Sequence, residues 1–117
     1  MTFQQKLEKI IKKNNSLVCV GLDTNASKIK SNQFSFNKSI IDATCDLVCS
    51  YKLNTAFYES IGHIGVKALK DTCDYLKNKY PKIPIIIDAK RADIGNTNNV
   101  YVQFVFTYLG TDEVTVH

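Results

Sequence analysis

Asp88, Lys90 and Asp93 form a D-x-K-x-x-D segment directly after an apolar run that ends at Ile87. If that run is a strand that continues to position 90, its period of two points Asp88 and Lys90 the same way. A lysine held between carboxylates keeps its proton, and the carboxylates stay anionic, because opposite charges favour both ionised forms. Such a lysine is a fixed cation and a proton donor. It suits a reaction in which negative charge develops on carbon and is then quenched by a proton. A Schiff-base lysine would instead need a depressed pKa and an apolar pocket, which the flanking acids oppose. The bland reading is a solvated loop whose surface ion pair is worth less than about 1 kcal/mol. Lys52 weighs against it, since a lysine in a short central strand must reach water or meet an acid. Asp23 follows another apolar run, where it serves either as a loop-initiating residue or as part of the same site.

The elements that would carry these residues are legible from periodicity. Phe3, Leu7, Ile10 and Ile11 have helical spacing, with Thr2 and Gln5 placed as a capping box. Leu17 to Leu22 is a β-rich run without polar alternation, the pattern of a strand buried on both faces. Phe36, Ile40, Thr44, Leu47 and Val48 mark a second helix, and Ser50 to Asn54 is short enough to be a strand. Val66, Leu69, Cys73, Leu76 and Tyr80 mark a third helix, stopped by Pro81. Ile83 to Ile87 reads as a strand and Asp88 to Asn96 as a loop punctuated by Gly95. Val100, Phe104, Val105 and Tyr108 form another helical face closed by Gly110, and Val114 to Val116 begins a fourth strand.

These strands recur at roughly thirty-residue intervals, the length of a βα unit with its loops. The expected fold class is therefore α/β, either a small doubly wound sheet or half of an eight-stranded barrel. Asp23, Lys52, Asp88 and Lys90 then fall at or just past the C-terminal ends of three strands, where such folds assemble their sites. A complete barrel needs about 250 residues. The 117 residues here stop inside the fourth strand at His117 with its edge uncovered. Residues 1–117 are read as one partial (β/α)8 barrel domain without internal boundary.

Composition narrows the function classes. At 44% apolar and 22% charged the chain can bury a core. No apolar run approaches the eighteen or so residues that span a bilayer, and the N-terminus lacks a secretory pattern, so no membrane association and a soluble cytoplasmic location are expected. The net charge is +4, but fourteen of the fifteen basic residues are scattered lysines, so no nucleic-acid partner is expected. Cys19, Cys45, Cys49 and Cys73 form no CxxC pair and have no histidine at metal spacing, and they read as apolar fillers. His63 and His117 have no visible partner, and His63 reads as a loop or helix-start residue. There is no nucleophile elbow, and IGHIG forms neither a dinucleotide fingerprint nor a P-loop.

In order and spacing, LVCVGLDTN, DLVCSYKLNTAFYESIG, IPIIIDAKRADIGNT and TYLGTDEVTVH resemble the first half of the orotidine 5′-phosphate decarboxylase family, in the subgroup with a DxKRxDIGNT-type segment. The bare DxKxxD is shared by sugar-phosphate relatives of the same superfamily, whereas KLNTAFYE and IGNT favour the decarboxylase. The resemblance implies a homodimeric (β/α)8 barrel, with no cofactor and no metal, that converts orotidine monophosphate to uridine monophosphate and carbon dioxide in pyrimidine biosynthesis. It implies that Asp23 contacts the ribose hydroxyls, that Lys52 bridges the ribose and the acidic row, and that Asn54 lines the site. It places Asp88 beside the substrate carboxylate, Lys90 as the proton donor to C6, and Asp93 in the partner's site, with Ile94 and Thr97 also crossing the interface. The family's phosphate and pyrimidine grips, which include an Arg and a Gln on later loops, have no counterpart in these residues, so the 117 residues alone are expected to be inactive. Arg91 is the only arginine, and Ala92 stands where a Gly is common. Two alternatives remain open: a Mg²⁺-dependent sugar-phosphate decarboxylase or aldolase on the same barrel, and an assembly module that pairs through its exposed strand edge.

Overall fold

In the computed structural model, which describes residues 1–117, four strands form one parallel sheet in the order β1 (Cys19–Gly21), β2 (Ser50–Asn54), β3 (Ile85–Asp88) and β4 (Glu113–Val114). Each strand pairs with the next, and helical segments connect them. The principal helices are α1 (Phe3–Asn14), α2 (Gln33–Thr44), a single turn α3 (Ala56–Glu59), α4 (His63–Lys79) and α5 (Gly95–Val102), which runs into a π-helical segment at Gln103–Tyr108. This is the α/β architecture of part of an eight-stranded barrel.

The sheet is covered on one face. Tyr51 and Leu53 of β2 and Ile85 and Ile87 of β3 are buried in one cluster with Ile41, Leu69, Leu76 and Leu109 from the helical layer. Each such side chain contributes roughly 1.5–3 kcal/mol of burial. The alternate residues Lys52, Asn54 and Ile86 remain half-buried on the opposite face. The molecule measures 39 × 37 × 23 Å, as expected for one sheet and one layer of helices.

The Thr2–Gln5 capping box forms as the spacing predicts, with each side chain accepting the other's backbone N–H. The helix it starts, α1, stands at the N-terminal ends of the strands. Asn14 Nδ2 donates to the carbonyls of Cys45 and Val48, which lead into β2, and Lys6 pairs at 2.9 Å with Asp112, just before β4. The site end of the sheet is left free.

Several elements differ from the periodic reading. Only Cys19–Gly21 of the Leu17–Leu22 run is strand; Leu17 and Val18 precede it and are exposed, Val18 meeting the next strand's approach only through its carbonyl, which accepts the Cys49 N–H. The second helix stops at Thr44; Leu47 lies outside it and is exposed, and Val48 is buried on the approach to β2. The third strand is displaced to Ile85–Asp88, so Asp88 is a strand residue rather than the start of a loop. Gly95 opens α5 instead of punctuating that loop. Of the face expected from Val100 to Tyr108, Val105 is buried while Val100 and Tyr108 are exposed; the π-helical register there rotates the side chains away from a 3.6-residue stripe. The fourth strand spans Glu113–Val114 instead of Val114–Val116. The turn α3 carries no periodic signal, being only four residues long.

A buried polar chain ties this short turn to its neighbours. Tyr58 Oη donates to the Leu22 carbonyl at 2.5 Å and accepts from Asn37 Nδ2 at 2.9 Å, and Asn37 Nδ2 also reaches Thr72 Oγ1 at 3.1 Å. The end of β1 is thereby anchored to α2, α3 and α4. Gly65 lets α3 approach α4: a Cβ at this position would lie 1.7 Å from the Tyr58 carbonyl oxygen.

Candidate active site

Parallel register stacks the C-terminal ends of the strands side by side. Gly21 pairs with Lys52, Lys52 with Ile86, and Asn54 with Asp88. Lys52 and Asp88 therefore stand on neighbouring strands and share the face away from the helices. Asp23 lies two residues beyond β1 and is fixed from β2, where the Asn54 N–H donates to its Oδ1 at 2.7 Å. Lys52 Nζ lies 3.2 Å from Asp88 Oδ2 and 3.7 Å from Asp23 Oδ2. The central amine thus bridges two carboxylates carried by different strands.

Lys90 joins this row by an unexpected path. The strand ends at Asp88, and Lys90 adopts φ 51°, the left-handed region that disfavours residues with a Cβ. That turn brings Lys90 Nζ to 2.6 Å from Asp88 Oδ1, while over half of the side chain stays exposed (58%). Asp88 itself is buried, and its two oxygens accept from two different ammonium groups.

The charges reinforce one another. Hydrogen bonds from Lys90, Thr115 and Lys52, together with the charge of Lys52, hold the Asp88 carboxyl well below the ordinary carboxylate range against the opposing effect of burial. Burial pulls the Lys52 ammonium downward. The hydrogen bond that Lys52 donates to Asp88 and the charges of Asp23 and Asp88 outweigh it, leaving Lys52 above its ordinary value. Carboxylates and amines alternate along the row, from Asp23 through Lys52 and Asp88 to Lys90.

The remaining expected residues are not brought into this row. Asp93 is exposed, and its Oδ1 accepts the N–H of Ile94 at 2.7 Å while its own N–H donates to Asn98 Oδ1. Lys90 is accordingly flanked by one acid within this chain, not two. Asn54 contributes through its backbone; its side-chain oxygen accepts the Ala56 N–H at 3.0 Å and holds the turn into α3. Ile94 is exposed just before α5 and Thr97 half-buried in its first turn. Of the two places left open for it, loop or helix start, His63 takes the second and begins α4.

Sequence reasoning missed Thr115. Its hydroxyl donates to Asp88 Oδ1 at 2.7 Å and accepts the Lys90 N–H at 3.1 Å. The fourth strand was legible, but nothing in a lone Thr after it marks a partner 27 residues away. Arg91 was also unassigned: it pairs with Glu59 of α3 and lies over the Tyr101 ring, clamping the loop that carries Lys90.

The row can hold an anionic or carbonyl-bearing ligand beside Lys52 and Lys90 and supply a proton from either amine. It is poorly suited to a divalent cation, because both Asp88 oxygens already face ammonium groups that a dication would have to displace.

Comparison with known proteins follows the same lines. Residues 16–117 match the family described as orotidine 5′-phosphate decarboxylase / HUMPS. A protein of Christiangramia forsetii named orotidine 5′-phosphate decarboxylase is 51% identical over 99% of this chain, and one of Parabacteroides distasonis with the same name is 48% identical over 97%. Among solved structures, the Leishmania donovani OMP decarboxylase superposes with a TM-score of 0.83 at 30% identity over 97% of this chain. The Plasmodium berghei orotidine 5′-monophosphate decarboxylase does so with a TM-score of 0.85 at 26% identity. The chain spans 45% and 43% of the two curated relatives, and 43% and 52% of the two structures.

Proposed function

This chain belongs to the orotidine 5′-phosphate decarboxylase / HUMPS family, and on that premise we propose that the protein carrying it decarboxylates orotidine 5′-monophosphate to uridine 5′-monophosphate. The observation that carries this reading is the convergence of Lys52 and Lys90 on the single carboxylate of Asp88 at the C-terminal end of a parallel sheet.

In the proposed reaction the bond between C6 and the carboxylate breaks, carbon dioxide leaves, and the electron pair stays on C6. Lys90 stabilises that carbanion as a fixed cation, then transfers a proton from its ammonium to C6; the amine regains a proton from solvent after product release. Asp88 sits beside the substrate carboxylate, where its charge opposes the bound ground state, a weaker contribution than the electrostatics of Lys90. Asp23 binds the ribose hydroxyls, Lys52 spans the ribose and Asp88, and Asn54 lines the same site. The largest enzymatic accelerations correspond to roughly 20 kcal/mol or more of barrier lowering, beyond the reach of one ammonium. Binding energy from the substrate phosphate supplies part of the rest.

The exposure of Asp93 and Ile94 supports a composite site, in which these residues and Thr97 reach the site of a second subunit of a homodimer. The proposed place of the reaction is the last step to uridine monophosphate in the cytoplasm, without metal or organic cofactor.

The test is the absorbance change on conversion of orotidine monophosphate by the full-length protein. Lys90→Ala is expected to abolish turnover while nucleotide binding stays measurable, and turnover is expected to survive a chelator. A Lys90→Ala variant with near-normal rates refutes the assignment; activity lost with chelator and restored by magnesium refutes the metal-free chemistry.

A further inference from the structure

The geometry points to Thr115 as a positioning residue for the Asp88–Lys90 pair, setting the reach of the proton donor through one hydroxyl. This inference rests on the decarboxylase reading for its consequence in catalysis, but not for its geometry.

Thr115 follows β4 and continues its ladder, its N–H donating to the Ile87 carbonyl at 3.0 Å. From that fixed point it makes three contacts with the neighbouring strand end. Its hydroxyl hydrogen goes to Asp88 Oδ1, the same oxygen that receives Lys90 Nζ. The hydroxyl lone pair accepts the Lys90 N–H, and its carbonyl accepts the Arg91 N–H at 3.4 Å. The hydroxyl therefore binds both the carboxylate and the backbone of the lysine paired with it. A β-branched side chain is stiff about χ1, so the oxygen holds its position without help from solvent.

The requirement for such a contact lies in Lys90. A residue with a Cβ does not adopt φ 51° unless the surroundings over-determine it. From that left-handed turn Lys90 Nζ lies 2.6 Å from Asp88 Oδ1. The hydroxyl satisfies the Lys90 N–H in that conformation and also shares Asp88 Oδ1, which limits how tightly the carboxylate holds the ammonium. Valine at this position has the same shape but leaves the Lys90 N–H unpaired and Asp88 one donor short. Serine keeps the oxygen and loses only the methyl group.

Thr115→Val and Thr115→Ser in the full-length protein test this. With orotidine monophosphate, Thr115→Val is expected to lower kcat about 10- to 100-fold, the cost of removing a hydrogen bond to a charged group, with KM within about threefold of wild type, because the defect lies at the proton donor and not in nucleotide binding. Thr115→Ser is expected to restore kcat to within about threefold. Independently of any substrate, amide hydrogen exchange at Lys90 should accelerate in Thr115→Val and not in Thr115→Ser, while Leu53 and Ile87 in the sheet remain protected. Unchanged exchange at Lys90 in Thr115→Val overturns the positioning role, as does a kcat equal to wild type or a fall in kcat that Ser fails to rescue. Wild-type protein without turnover, combined with the expected exchange pattern, sinks the decarboxylase reading and leaves the positioning role standing.

Discussion

Lys90 Nζ lies 2.6 Å from Asp88 Oδ1, although the strand that carries Asp88 ends there and the lysine returns to it through a left-handed turn. Together with the 3.2 Å contact from Lys52, this makes Asp88 the hinge of the charged row. Its carboxyl is depressed, foremost by the hydrogen bond from Lys90, then by Thr115 and Lys52.

The sign of the pH dependence follows. An aspartate whose folded pKa lies below its unfolded value of about 3.9 adds stability above that pH and loses it as the pH falls towards the folded value. Wild-type protein is therefore expected to be more stable than Asp88→Asn at pH 6, with the gap shrinking towards pH 3. Urea denaturation at both pH values measures it; an equal gap at each would show that Asp88 ionisation contributes nothing to folding.

Tyr58 links the end of β1 to three helices through a fully buried hydroxyl. Tyr58→Phe leaves the Leu22 carbonyl and Asn37 short of a partner and is expected to cost about 1–3 kcal/mol. Equilibrium denaturation reads the loss, and a change under about 0.3 kcal/mol would mean that water replaces the hydroxyl.

Gly65 is a contact position. A Cβ there would overlap the Tyr58 carbonyl oxygen and the Ile61 side chain, and the backbone atom cannot swing aside. Gly65→Ala should destabilise by about 3 kcal/mol or more even though alanine favours helix, because α3 must separate from α4. Thermal unfolding of the variant at or above the wild-type midpoint would contradict this packing.

The thiols are expected to divide by burial. Cys73 is fully buried, and burial pushes its pKa up to about 12, so it stays protonated and unreactive at pH 8. Cys49 is also buried, Cys45 is half-buried and Cys19 exposed. A chromogenic disulfide reagent should label Cys19 first and reach Cys49 and Cys73 only on unfolding; Cys19→Ser should remove the fast phase. Rapid labelling of all four in native protein would indicate that the helical layer opens.

The parallel arrangement of the strands was legible because burial imprints a local pattern. Ser50 to Asn54 is the second strand, Ile83 to Ile87 overlaps the third, and Leu69, Cys73 and Leu76 of the helical stripe lie on the buried face of α4, with Val66 and Tyr80 half-buried. Edges were harder. Leu17 and Val18 look like core residues in composition, yet they precede β1 and are exposed.

The sequence by itself determined which charges lie at strand ends, since Asp23, Lys52 and Asp88 stand at the close of β-rich runs whose direction is fixed once the sheet is parallel. Only the tertiary structure decided which of those charges meet. Lys52 and Asp88 are 36 residues apart and Thr115 and Asp88 are 27 apart, so their contacts depend on the register between strands, which no local pattern encodes. The D-x-K-x-x-D spacing put Asp88 and Lys90 on one side, and they meet; that the lysine does so from a left-handed backbone, with Asp93 at the start of the next helix, belongs to the fold. A dihedral angle stabilised by a hydroxyl from another strand is a property of the assembled sheet.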